Sequence, residues 1–128
     1  MKELKIQSIA DMITNSSSEI FVIKDPRDTK MSLESYSGFL KDLECYTNLF
    51  LEKEHANGSY SYVDGPDDCY EANIADRKYF DTFYEYGYDV GDLLIESTSD
   101  NSIPWEIMEY IENSARSHGY SCKRRHLG

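Results

Sequence analysis

The chain has 128 residues, 40% of them hydrophobic and 13% aromatic, which suits one domain with a core of its own and excludes a disordered tail. Its 24 acidic against 13 basic residues leave a formal net charge of −11, so phosphate backbones are repelled and no direct nucleic-acid binding is expected. The same charge attracts a strongly cationic partner, although solubility alone is its plainer reading.

In chain order, residues 4–9 alternate loosely in hydrophobicity and predict a short strand. A polar stretch at 14–18 follows, rich in side chains that bond their own backbone. It leads into Ile20, Phe21, Val22 and Ile23, a β-prone run that reads as a buried strand, ended by Asp25 and Pro26. Ser32 caps a helix of about residues 32–53, with Leu33, Tyr36, Leu40, Leu43, Thr47 and Phe50 along its apolar face and Asn57 and Gly58 as its stop. Tyr60, Tyr62 and Val63 predict a strand, and residues 64–68 (DGPDD) a turn. Over residues 72–86, Ile74, Phe80, Phe83 and Tyr84 predict a short helix. Leu93, Leu94 and Ile95 form the core of a buried strand. Ser102 caps a second helix of about residues 103–118, with Pro104 in its first turn; it buries Ile107, Met108, Ile111 and Ala115 and ends at a left-handed Gly119. Residues 120–126 predict a last strand. The expected architecture is a single α+β domain over 1–128, with a small mixed sheet, two clear helices and a C-terminal strand-helix-strand unit. If the strands of that unit are neighbours they run parallel, with helices on one face of the sheet and the other face open.

The cysteines Cys45, Cys69 and Cys122 are odd in number and form no CxxC pair, which argues against a disulfide framework or a zinc site and fits a reducing compartment. The first residues lack the apolar core of a signal peptide, and the longest strongly apolar runs are too short to span a bilayer. A cytoplasmic protein without membrane contact is expected.

Two stretches bear on chemistry. Asn15, Ser16, Ser17 and Ser18 put an amide and hydroxyls ahead of a strand, where they satisfy a tight turn or hold a ligand; nucleophilic use needs a base, and no spacing brings His55, His118 or His126 to them. The second stretch is the acidic, tyrosine-rich middle. Asp67, Asp68, Glu71, Asp76, Asp81 and Glu85 supply charge there, and Tyr79 and Tyr84 supply contact area able to stack on arginine. Carboxylates spread in this way occupy a cationic channel, or else form a solvated face. Asp64, Asp67 and Asp68 do not match the spacing of a calcium loop. The tail Lys123, Arg124, Arg125 and His126 is expected to pair with the chain's own carboxylates, alternate residues facing opposite sides of a strand. The sequence contains none of the phosphate-loop, dinucleotide, zinc-protease or nucleophile-elbow patterns, and neither metal nor cofactor is expected.

Residues 11–23 (DMITNSSSEIFVI), together with Asp100, Asn101, Ser102, Ile103 and Pro104 opening a helix and a terminal Arg125, His126, Leu127 and Gly128, resemble small proteins of tailed bacteriophages and related mobile elements. The resemblance covers the two ends, leaves the acidic middle unmatched, and carries no site residues with it. It implies a phage-type protein made in an infected bacterium. In that setting the expected role is an acidic inhibitor of a basic host protein that handles nucleic acid, such as a nuclease or a CRISPR effector. The alternatives are a structural or accessory phage protein and a small enzyme using the serine turn.

Overall fold

In the computed structural model, residues 18–27, 32–76, 79–81, 86–98 and 103–127 are described. The first strand, β1 (Ser18–Lys24), buries Ile20, Phe21, Val22 and Ile23 together, so both of its faces are covered, as a run of β-branched and aromatic residues without polar alternation requires. Pro26 stops it, and Arg27 folds back so that its backbone N–H and its Nε both donate to Asp25 Oδ1 (3.0 and 2.8 Å).

Ser32 does cap a helical start. It forms a reciprocal capping box with Ser35 at the head of a 3-10 turn, Leu33–Tyr36, which runs into α1 (Ser37–Ala56). The apolar stripe of α1 passes through Phe39, Leu43, Thr47 and Leu51; Leu40 and Phe50 flank it, and Leu33 is 44% exposed. Beyond a 3-10 turn, Pro66–Asp68, comes β2 (Tyr70–Ile74), then the short hairpin β3 (Tyr79–Asp81) and β4 (Tyr86–Tyr88), then β5 (Leu93–Ser97). The second helix, α2 (Trp105–Ser117), leads to β6 (Ser121–Leu127). Both helices end alike. Gly58 and Gly119, at φ +81° and +86°, occupy the left-handed position, and the amides of Ser59 and Tyr120 close back on Glu54 and Ala115 (2.8 and 2.9 Å).

The main sheet has the order β2-β5-β1-β6, and every neighbouring pair is antiparallel. The α+β class therefore holds, but among the described residues the parallel pairing allowed for in a mixed sheet does not occur. β5 and β6 do point the same way, but β1 lies between them and separates them; β1 and β2 are likewise parallel and are separated by β5. The result is two interleaved split β-α-β units, β1-α1-β2 and β5-α2-β6, with the β3-β4 hairpin inserted between them. This is the connectivity of ferredoxin-like domains, a framework that hosts unrelated functions. The two helices share one face of the sheet. There Phe21, Ile23, Leu93, Ile95 and Tyr70 meet Phe39, Leu43, Ile107 and Ile111 in one core, and Tyr46 of α1 stacks on Tyr110 of α2 at 4.1 Å.

The opposite face is not open. Ile20, Val22, Leu94 and Glu96 project there and are all at most 3% exposed. Glu96 and Arg125 stand on either side of Ile20 in the ladder, so a carboxylate and a guanidinium flank the same apolar residue.

Three sequence expectations give way locally. Tyr60, Tyr62 and Val63 make a turn instead of a strand: Tyr60 adopts φ +55°, the Val63 amide donates to Tyr60 O, and His55 Nε2 lies 3.0 and 2.8 Å from the carbonyls of Tyr60 and Val63. The helix expected over 72–86 is replaced by strand β2 and the β3-β4 hairpin, because pairing with β5 outweighs the helical spacing of a few aromatics. The second helix begins one residue after Pro104, which is itself the N-cap; the expected Ser102 cap and the strand at 4–9 lie outside the described residues.

Candidate functional site

The most distinctive surface lies at the β2 edge of the sheet. The ladder between β2 and β5 has backbone bonds from Ala75 N–H to Asp92 O (2.9 Å) and from Thr98 N–H to Cys69 O (3.4 Å). In antiparallel pairing, hydrogen-bonded and non-hydrogen-bonded positions alternate. Glu71 and Asn73 therefore spend their backbone groups on β5, while Tyr70, Ala72 and Ile74 turn theirs outward. Among the described residues no strand pairs with that side of β2.

Beside this edge runs a groove of about 410 Å3, between β2, the Pro66–Asp68 turn and the first half of α1. Leu33, Leu40, Pro66, Tyr70 and Ala72 give it apolar walls, and among the described residues its charged lining is Glu44, Asp67 and Glu71, without lysine, arginine or histidine. The three carboxylates are solvent-exposed. The wall beneath them is held firmly. Thr47 donates its hydroxyl to Leu43 O (2.8 Å) and lies 3.4 Å from the Tyr70 hydroxyl, and burial pushes the Tyr70 phenol up to about 12. Tyr70 is therefore a neutral, fixed wall at any ordinary pH.

The sequence-predicted acids divide accordingly. Asp67 and Glu71 line the groove. Asp68 is half-buried and belongs to the turn below it, its Oδ2 accepting from Asp64 N–H (2.8 Å) while its carbonyl accepts from Thr98 Oγ1 (2.8 Å). Asp76 is exposed beyond the end of β2 and does not line the groove. Asp81 and Tyr79 sit on β3 as backbone positions, and Glu85 and Tyr84 lie outside the described residues. Of two further acids in the same stretch, Asp89 and Asp92 are bound internally by Lys24 (3.3 and 2.6 Å). Glu44 was missed by the sequence reading. Its signal is weak but present, since it follows Leu40 by one helical turn and so shares that residue's side of α1.

Of the possible ligand turn, Asn15, Ser16 and Ser17 lie outside the described residues. Ser18 opens β1 opposite Leu127, and Glu19 is opposite His126. In the cationic tail, Arg124 and Arg125 stand at successive positions of β6. Arg124 turns toward α2, with its Nε 3.7 Å from Glu112 and its guanidinium 5.6 Å from the centre of the Trp105 ring.

A second polar cluster joins the helices. His118 Nε2 lies 3.0 Å from Asp42 Oδ2, the ring stacks on Tyr120 at 5.7 Å, and a cavity of about 270 Å3 beside it is lined also by Tyr110, Asn113, Ser114 and Ser117. Neither serine hydroxyl hydrogen-bonds the imidazole, so the cluster has a histidine-carboxylate pair without an attached nucleophile. Among the described residues no group of three or more ligating side chains is placed to hold a metal ion, and no helix is long and apolar enough to cross a membrane. Comparison of the chain with protein-family models, with curated proteins and with solved structures finds no match.

Proposed function

We propose that this chain is a binding protein that blocks a basic surface of a nucleic-acid-handling host protein, in the manner of a phage anti-defence inhibitor such as an anti-CRISPR. The observation that carries the reading is the groove beside β2, where Glu44, Asp67 and Glu71 converge with no cation among the described lining residues. Asp89 and Asp92 of the middle stretch are paired with Lys24, whereas Glu44, Asp67 and Glu71 face solvent. A field of one sign over a concave surface accelerates encounter with the opposite sign and disfavours like-charged partners. The net charge of −11 and the resemblance of both chain ends to phage-type proteins point the same way.

The test is affinity capture on the tagged chain from phage-infected bacteria, washed at stepped salt, with the retained proteins identified by mass spectrometry. The reading expects a basic nuclease or effector that elutes as ionic strength rises, because exposed ion pairs are screened over about 10 Å at 0.1 M salt. Recovery of virion or assembly proteins alone, held regardless of salt, contradicts it.

A further inference from the structure

We propose that the partner is held by β-strand addition: an extended segment of it, alternating lysine or arginine with apolar residues, docks along β2 as a fifth strand of the main sheet. The inference rests on the partner-binding reading above and specifies its mode. An unpaired strand edge is a template for another chain, and extended peptides are recognised in this way, with backbone bonds giving affinity and neighbouring pockets reading alternate side chains. The outward backbone groups of Tyr70, Ala72 and Ile74 supply the template. An edge kept from such pairing usually carries lysine, proline or an inward-pointing charge. The five residues of β2, Tyr-Glu-Ala-Asn-Ile, contain neither proline nor lysine.

Charge complementarity selects the occupant. A strand laid on this edge sends alternate residues to opposite faces of the sheet. On the helix side they meet Leu33, Leu40, Tyr70 and Ala72, which favour apolar side chains, with Glu44 and Asp67 in the same groove adding a negative field; Glu71 alternates with Tyr70 and Ala72 and favours a long cationic side chain from the opposite positions. A polyanionic strand is excluded by the same three carboxylates.

The experiment uses the full chain and a blocked seven-residue peptide alternating arginine and valine, together with the same peptide N-methylated on the residues that face Tyr70, Ala72 and Ile74. Amide hydrogen exchange followed by NMR reads the edge directly. The proposal expects the Tyr70, Ala72 and Ile74 amides to exchange more slowly with peptide bound, and the N-methylated peptide to bind about tenfold more weakly, on the scale of losing one or two hydrogen bonds. Ala72→Pro gives the reciprocal check, because it removes an outward donor and leaves the bonds to β5 in place. Unchanged exchange at those amides, with equal affinity for both peptides, overturns strand addition. If a Glu44→Lys, Asp67→Lys, Glu71→Lys triple variant still loses the peptide, the acidic groove survives that failure. If neither charge reversal nor N-methylation matters, both readings fall.

Discussion

Lys24 Nζ lies 2.6 Å from Oδ2 of Asp92, and the same oxygen accepts the Asp89 amide at 2.8 Å. One carboxylate thus ties the end of β1 to the turn that opens β5. Asp92 is nearly buried while Lys24 remains substantially exposed, so the pair behaves as a charge-assisted hydrogen bond screened on one side. Lys24→Ala is expected to cost about 1 kcal/mol, leaving Asp92 without its cation. Urea denaturation checks this, with an unchanged slope and a lowered midpoint.

Stability should fall in alkali. Burial pushes the Cys69 thiol up to about 11 and the Cys122 thiol to about 12, and burial likewise holds the Tyr36 and Tyr70 phenols at about 12. Lys24 moves in the same direction: burial pulls it down, but Asp92 and Asp89 outweigh that and raise it. Each group holds its proton more tightly folded than unfolded. Its stabilisation is complete below the ordinary value, 9.0 for a thiol and 10.0 for a phenol, and is lost as pH climbs through the folded value. Thermal melts should therefore be steady up to about pH 9 and then drop progressively. Thiol labelling in native buffer should modify Cys45 rapidly and Cys69 and Cys122 only slowly, since Cys45 alone of the three is exposed.

Two glycines should respond in opposite ways to alanine. Gly119 sits at φ +86°, and a Cβ there would meet the Arg27 guanidinium at 3.2 Å. Arg27 in turn donates to the His118 carbonyl at 2.8 Å, so it cannot withdraw freely. Gly119→Ala should cost about 1–2 kcal/mol. Gly65 has extended backbone at φ −166° with nothing within 4 Å of a built Cβ, and Gly65→Ala should stay within about 0.5 kcal/mol of the parent. Paired denaturation curves decide the matter.

The core rests on α2 as much as on α1. Ile111 is fully buried among the residues that join the helices to the sheet. Ile111→Ala should remove about 2–5 kcal/mol, read as a lowered urea midpoint.

The sequence was most legible where one local signal sufficed. The run Ile20, Phe21, Val22 and Ile23 announced a buried strand. Ser32 announced a helical start, and Gly58 and Gly119 the ends of two helices, because capping chemistry is local. It was least legible where distant pairing decides. Residues 70–74 carry no strong β pattern, and they become a strand because Ala72 and Ile74 pair with Ile95 and Leu93 some twenty residues on. Tyr60 and Val63 were drawn into a turn by His55, a contact that composition does not reveal. The site was half legible for the same reason. Asp67 and Glu71 stood in the acidic stretch that composition picked out, but Glu44 comes to them from α1, and only the packing of that helix beside β2 brings the three together.

The central claim is that the carboxylates beside β2 hold a cationic partner by position, and net charge alone does not suffice. The decisive measurement compares affinity for the captured partner between two variants of equal charge, one carrying Glu44→Lys, Asp67→Lys and Glu71→Lys, the other Glu52→Lys, Glu106→Lys and Glu109→Lys. The account predicts that the first variant loses at least about tenfold in affinity while staying folded, and that the second binds within about threefold of the parent. Equal losses in the two, or none in the first, would contradict it.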